Sequence, residues 1–403
     1  MKRFALIMVM VSTVLLSANA QLRNSGAGME TMPFKYYGHL YFPAIFNDSI
    51  KGNMVFDTGA ANYLLVDSTY MKQIGWKTTK LVAAKMSGAA GSSKTWIDWS
   101  EARVKTSGMS LKYPYTVLIN LRDILGCHAD ALLGIRDMKG TPFEINYQHH
   151  YLRKLSSISD SVRGEYQRIP IKNDGVRILV KASMDIDTIH VEGWFVLDTG
   201  SGGMVDFTKA ATEKYNLMSL SRKKMIGKGL QMGVGNRGIS TSVDMLSDRF
   251  VIGSDTIGSA CISCHSDGEG AFGERPWIGI IGNGIWDQYS MIVDMPHNTL
   301  YLKRYRPYEN QEKMYGFSFS NRTDIGNGWI VRYLIEGSEA AKQGLKLGDT
   351  ILSVNGRAVT DYSWDEEEKV TSLSSLDLKV KDVAGHLKHI HITPSNLWIG
   401  EGK

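Results

Sequence analysis

Two short stretches of this sequence hold the residues best suited to chemistry. Asp57-Thr58-Gly59 ends the apolar run Met54–Phe56, and Asp198-Thr199-Gly200 ends the apolar run Phe195–Leu197, 141 residues later. Taken singly, each reads as a strand that stops in a turn, because Asp bonds its own backbone and Gly accepts positive φ. A given tripeptide of these residues arises by chance only about once in several thousand positions, so the pair calls for a chemical explanation. Two carboxylates held close together cannot both ionise cheaply, and they share a proton. One can then draw a proton from a water while the other donates a hydrogen bond to a carbonyl and stabilises a tetrahedral oxyanion. That chemistry needs no metal, no cofactor and no covalent intermediate.

The surrounding residues indicate how the pair is positioned. At the same offset come two helix N-cap candidates, Asp67 and Thr208. Two helix-stop residues follow, Gly75 and Asn216. "STYMKQI" and "KAATEKY" between them predict short helices, and "GHLYFPAIFNDSIKGNMVF" and "VRILVKASMDIDTIHVEGWFVL" upstream predict hairpins turning at Asn47-Asp48 and at Asp185–Asp187. Downstream, "DALLG" and "GIIG" each place two aliphatic residues before a glycine, and each is followed by a last β segment. The chain therefore contains one β-rich unit twice, at about residues 32–156 and 165–306.

These features resemble the aspartic peptidases, especially the bacterial relatives of the retroviral type, and the resemblance covers about residues 32–306. It implies a mostly β, bilobal fold with two lobes related by a pseudo-twofold axis. Asp57 and Asp198 would be its catalytic dyad, and Thr58 and Thr199 would hydrogen-bond across the lobe junction. Gly59 and Gly200 are expected to let the backbone turn tightly and to aim N–H groups at the carboxylates. The loops differ at the next residue, Ala60 against Ser201. A serine hydroxyl favours an ionised carboxylate, so Asp198 is expected to hold the charge and Asp57 the proton. Glycine-rich tips at Lys85–Trp96 and Gln231–Thr241, with Gly88, Gly91, Gly233 and Gly235, stand where flaps over an extended peptide are expected.

Cys261-Ile262-Ser263-Cys264-His265 spells the haem-attachment pattern C-x-x-C-H. A haem needs an apolar helical cradle, whereas this stretch lies in the β-rich second unit. A disulfide across the four residues, free thiols, or a partnership with Cys127 fits better, and a Cys/His metal cluster with Cys127-His128 requires a proximity that sequence does not give. No metal is assigned.

After "KRYRPYENQEKMYG" the pattern changes. "GSEAAKQGLKLGDTILSVNG" resembles a bacterial-type PDZ domain, an α+β module spanning about residues 315–395. The resemblance implies that Asn327, Gly328, Trp329 and Ile330 form a loop taking a peptide C-terminal carboxylate on backbone N–H groups; a module that only packs on the lobes is the alternative. His386, His389 and His391 are expected on both faces of a closing strand rather than around a metal.

Residues 1–20 run from Lys2-Arg3 through an apolar stretch to Ala18-Asn19-Ala20, the order of a secretory signal peptide. The apolar part is shorter than the roughly 20 residues of a spanning helix, and no later segment is long and apolar enough to cross a bilayer. Loss of Lys2 and Arg3 takes the formal charge from +5 to +3, and no basic patch with interleaved aromatics suggests nucleic acid. With 43% hydrophobic and 22% charged residues, the chain reads as globular and core-stabilised. The expectation is a periplasmic or secreted aspartic endopeptidase acting on a peptide or protein substrate, with a PDZ-like domain that recruits or regulates. The alternative is a catalytically inactive peptide-binding scaffold of the same fold.

Overall fold

The computed structural model describes residues 31–398 apart from 62–63, 89–90, 175, 236–237, 266–269, 274 and 309–312. The expected signal peptide at residues 1–20 lies outside the described residues. The chain is mostly β, and no described helix is long and apolar enough to cross a membrane.

Each unit begins with a hairpin that delivers an aspartate. Leu40–Phe46 turns back into Ile50–Asp57 through Asn47 and Asp48, whose φ values of 46° and 68° suit short polar side chains that bond locally. Ile178–Ile186 and Ile189–Leu197 pair the same way around Asp187, at φ 54°, while Asp185 stays within its strand. Next come Leu64–Asp67 and Val205–Phe207, leading into helices Ser68–Gln73 and Lys209–Lys214. The Asp67 carboxylate accepts from the N–H groups of Thr69 and Tyr70, and the Thr208 hydroxyl accepts from Ala211 N–H. Gly75 at φ 65° and Asn216 at φ 49° take the left-handed conformation just past the helix ends.

A return strand then threads between the first two. Ala131–Gly134 runs parallel to Ile50–Asp57, with Gly134 facing Asp57, and antiparallel to Leu64–Asp67. Gly279–Ile281 repeats this between Ile189–Leu197 and Val205–Phe207. These return strands are buried throughout, which explains their unbroken aliphatic sequence.

A shared sheet joins the units. Met32–Pro33, Tyr151–Lys154 and Phe143–Asn146 come from the first, and Tyr289–Asp294, Thr299–Arg304 and Gln167–Asn173 from the second. At its middle, Phe143–Asn146 and Tyr289–Asp294 pair antiparallel, and Glu144 faces Ile292. The spacing that separates these two residues also separates Gly134 from Gly282, so equivalent residues meet across a local twofold. One apolar core runs through both units, including Phe56, Phe143, Phe195 and Trp286.

A separate core, with Trp329, Ile351, Val354 and Leu378 among its members, belongs to the C-terminal module. Its sheet is built from Phe317–Asn321, Trp329–Ile335, Thr350–Val354, Leu376–Lys381 and Leu387–Ile392. The module is bonded to unit two strand to strand: Ile335, Leu334 and Tyr333 face Gly227, Lys228 and Gly229. His389 and His391 are both exposed on one face of the closing strand, contrary to the expected two-faced arrangement, and His386 precedes that strand.

Phe143 tests the dependence of the units on each other. It is fully buried in the shared sheet and packs edge-on against Phe56, the residue before Asp57. Phe143→Ala is expected to lower the unfolding free energy by about 3–5 kcal/mol, measured by urea denaturation.

Candidate active site

The repeated strands bring the two Asp-Thr-Gly loops face to face. Thr58 and Thr199 are wholly buried and bonded reciprocally. Thr58 N–H donates to Thr199 Oγ1 at 3.0 Å, and Thr199 N–H donates to Thr58 Oγ1 at 3.0 Å. Each hydroxyl donates onward across the junction, Thr58 to Leu197 O at 2.7 Å and Thr199 to Phe56 O at 2.9 Å. Both loops are thereby fixed to one another, not merely placed side by side.

This clamp leaves the carboxyl groups no room to separate. A Cβ at Gly59 would lie 2.6 Å from Asp198 Cγ, and one at Gly200 would lie 2.3 Å from Asp57 Cγ. Neither glycine has positive φ. The reason for glycine is therefore the close approach of the opposite carboxyl, not the turn conformation read from the sequence. Their N–H groups do point at their own aspartates, Gly59 to Asp57 Oδ1 at 2.7 Å and Gly200 to Asp198 Oδ1 at 2.8 Å.

The pair is electrostatically unequal. Burial pushes Asp57 above the ordinary carboxylate value, opposed by the N–H of Gly59, the hydrogen bond with Asp198, the N–H of Ala60 and the positive charge of Arg177. Asp198 is also pushed above it, first by burial and then by the negative charge of Asp57, with Asp206 adding to it. The pair shares one proton, and the two backbone donors on Asp57 against one on Asp198 favour the ionised form at Asp57. The expectation drawn from Ser201 placed the charge on Asp198 instead; the Ser201 hydroxyl accepts from Gly203 N–H at 3.2 Å within its own loop. Ala60, in contrast, supplies Asp57 with a second backbone donor at 3.1 Å.

Two supporting residues escaped the sequence reading. Asn283 is fully buried and donates to Gly38 O at 2.7 Å and Thr199 O at 2.8 Å, while Tyr147 of unit one donates to its Oδ1 at 2.6 Å. A polar residue after "GIIG", where unit one has Ile135, was the available signal. His39 Nε2 lies 3.1 Å from Gly200 O, and burial lowers its pKa, favouring the neutral ring.

The two glycine-rich hairpins touch at their tips. A Cβ on Gly88 would sit 2.1 Å from Val234 O, and one on Gly235 would sit 2.4 Å from Gly91 O. Gly233 has φ 80° in the same tip. Hairpin one also lies against Gly270–Phe272 of unit two. Both hairpins line a cleft of about 860 Å³ together with Met71, Trp76 and Ile119; neither Asp57 nor Asp198 is among its lining residues.

Cys261–His265 is a β-strand, and residues three apart on a strand point to opposite faces. A disulfide between Cys261 and Cys264 is thus excluded, and all three thiols are free. Burial pushes the Cys264 thiol up to about 11, and His265 pairs with Asp206 at 2.8 Å. Among the described residues no cluster of three His, Cys, Asp or Glu side chains is arranged to hold a metal ion.

The expected carboxylate loop of the C-terminal module needs correction. Trp329 and Ile330 are paired on both edges, with Asn321 and Ser320 on one side and Ile351 and Thr350 on the other. Trp329 is fully buried and stacks on Phe319 at 4.4 Å, and a Cβ on Gly328 would lie 2.2 Å from Ile351 O. Asn327 N–H donates to Arg322 O. The stretch is part of the sheet, closed to a peptide terminus.

Two measurements probe the site directly. Thr58→Val orphans the buried Thr199 N–H and takes a donor from Leu197 O, so it is expected to destabilise the chain by about 2 kcal/mol or more. Thermal melts of Thr58→Val, Thr199→Val and the double variant should show less than additive losses. A carboxyl whose folded pKa is raised binds its proton where the unfolded chain has already released it. Stability from the dyad is thus full below the unfolded value and falls as pH rises through the folded one. Melting temperatures of Asp198→Asn should decline less steeply than wild type as pH rises from the ordinary carboxylate value of 3.8.

A family model described as a PDZ domain matches residues 307–381. Among curated proteins, Whirlin of Mus musculus is 38% identical over 90 residues, which is 22% of this chain and 10% of that protein. Whirlin of Homo sapiens is 37% identical over 90 residues, with the same shares. The chain thus spans about a tenth of the length of these relatives, and the similarity falls on the PDZ region. Residues 307–381 form a PDZ domain.

Proposed function

We propose that residues 32–306 form a bilobal aspartic peptidase and that the chain is an exported, periplasmic or secreted endopeptidase. The observation that carries this reading is the reciprocal Thr58–Thr199 clamp, which confines two carboxyls from repeated loops to one proton. In the reaction, Asp57 is the base that takes a proton from a water held between the carboxyls. Asp198 carries the shared proton and donates to the scissile carbonyl, stabilising the oxyanion as the water oxygen adds. Collapse of the tetrahedral intermediate returns a proton to the leaving amine.

The hairpin tips support an extended peptide as substrate. Backbones that meet at Gly88–Val234 and Gly91–Gly235 form a cover that must part to admit a chain and then close to exclude water. PDZ domains bind peptides by strand addition, which suits a substrate-recruiting or regulatory role for residues 307–381.

Asp57→Asn and Asp198→Asn should each abolish cleavage of a peptide library by about a thousand-fold or more while leaving the fold intact. The double variant should be no worse than either single one, because the pair acts as a unit. Full activity in either single variant, measured by mass spectrometry of the digested library, refutes the shared-proton mechanism and favours a peptide-binding scaffold.

A further inference from the structure

The row of side chains beside each aspartate differs in kind between the units. In unit one, Leu65, Val117 and Ile97 stand abreast on three paired strands. Their neighbours Leu64 and Val66 enter the main core, whereas this row packs with Ala60 of the first Asp-Thr-Gly loop in a separate apolar cluster. The row at the same place in unit two is Asp206, Ser263 and Asp244, aligned by the same strand pairings. Its neighbours Val205, Phe207, Ile262 and Met245 likewise enter the core. Side chains alternate along a strand, so both rows look away from the core, one apolar and one acidic. The acidic row stands beside the dyad, since the charge of Asp206 acts on Asp198.

The two carboxylates of this row are held but not neutralised. His265 Nε2 lies 2.8 Å from Asp206 Oδ1, and Tyr333 of the PDZ domain donates to Asp244 Oδ2 at 2.7 Å. Asp244 is only 6% exposed, yet its Oδ1 has no hydrogen-bond partner among the described residues. Burial raises this carboxyl above its ordinary value; the Tyr333 and Ser263 hydroxyls oppose the rise, and the negative charge of Asp206 adds to it. Among the described residues no Lys or Arg pairs with either carboxylate. A buried acceptor left unpaired is costly, and unit one shows that aliphatic residues can build the same row without that cost. The missing partner is a donor that also brings positive charge. Among the described residues no three His, Cys, Asp or Glu side chains are arranged for a metal ion, so the fitting cation is organic.

We propose that the unit-two side of the dyad is a pocket for a cationic side chain, Lys or Arg, of a bound peptide, held by Asp206 and Asp244. Opposite it, the Leu65 row takes an apolar side chain. The local twofold passes between the clamped loops, and successive side chains of an extended peptide point to opposite sides. The peptide therefore presents a basic and an apolar residue next to each other at the dyad. Tyr333 makes the pocket a joint product of unit two and the PDZ domain, because it fixes Asp244 from the strand that pairs with Gly227–Gly229. Cleavage of the peptide between these two residues rests on the peptidase reading; its binding does not.

The test uses the full chain carrying Asp57→Asn, so that binding is read without turnover. The probes are fluorescein-labelled peptides with Arg-Leu or Leu-Arg between alanines, each beside a counterpart with uncharged citrulline for arginine. By fluorescence anisotropy, the arginine peptide of at least one order should bind about ten-fold or more tightly than its counterpart. Asp244→Asn and Asp206→Asn, each added to that chain, should bring the paired affinities together. Equal affinity in both orders overturns the pocket, and so does a preference that survives both substitutions. The comparison of arginine with citrulline needs no change in the pocket, so it stays decisive where a pocket variant misfolds. Wild-type chain is then given the same peptides and the products are read by mass spectrometry. An arginine preference in binding with no peptide cleaved supports the pocket and refutes the peptidase reading. Cleavage of arginine and citrulline peptides alike, at equal affinity, refutes the pocket and leaves the peptidase reading standing.

Discussion

Everything near the two aspartates depends on two hydroxyls that have no water to turn to. Thr58 and Thr199 are wholly buried, and each satisfies its backbone N–H and its side chain only through the other loop. A buried donor without a partner is expensive, so the loops cannot drift apart singly. The requirement passes upward to the carboxyls and downward to the strands. Above, it brings Asp57 against Gly200 and Asp198 against Gly59, where any side chain larger than hydrogen collides. Below, it demands that the apolar strands ending at the aspartates arrive in matched positions, which the parallel return strands and the shared sheet provide.

A twofold arrangement cannot hold one proton symmetrically, and the departures from symmetry decide where it sits. Asp57 receives two backbone donors and lies in the field of Arg177; Asp198 receives one donor and lies in the field of Asp206. The second unit has also exchanged an aliphatic contact for a polar one, since Asn283 stands where unit one has Ile135 and ties Thr199 O to Gly38 O. Unit two therefore carries the more heavily braced loop, and unit one the carboxyl with more backbone donors. The loop braces and the unequal donors are separate consequences of the same divergence between repeats.

What could be read in advance was local. The caps Asp67 and Thr208, the stops Gly75 and Asn216 and the two aspartates keep a constant offset because each answers to its own backbone neighbourhood. What could not be read was which distant backbone would arrive. Gly88 and Gly235 looked like flexible tips, yet they are required because strands from different units nearly touch there. A glycine before Trp329 looked like a ligand loop because an open loop and a strand entering a sheet begin alike; Phe319 and Ile351, remote in sequence, settle the matter. The N–H that Ser201 takes up, that of Gly203 in its own loop, was equally invisible in the sequence. The three cysteines were undecidable by spacing until Cys261–His265 proved to be a strand.

The PDZ domain is held by two different kinds of contact, and the difference bears on what it can do. Toward unit two it continues a sheet, and Tyr333 lies so close over Gly227 that a Cβ there would meet its hydroxyl at 1.8 Å while that hydroxyl donates to Asp244 at 2.7 Å. Such pairing leaves little freedom between the domain and the hairpin Met225–Leu230 with Ile239–Leu246. Toward unit one the contact is ionic around Arg122, Asp130, Asp324, Asp123 and Arg322 and aromatic around Trp364, which packs on Tyr37, Tyr41 and His128. Buried ion pairs add little net stability because desolvation offsets attraction, but they fix orientation and break sharply when one partner is lost. The domain is therefore fastened by strand pairing to one glycine-rich hairpin and by charge and ring packing to the segment that precedes Ala131–Gly134. The strand next to the ionic side, Ala131–Gly134, is the one that runs beside Asp57, and the strand on the domain's other side continues into the hairpin of unit two.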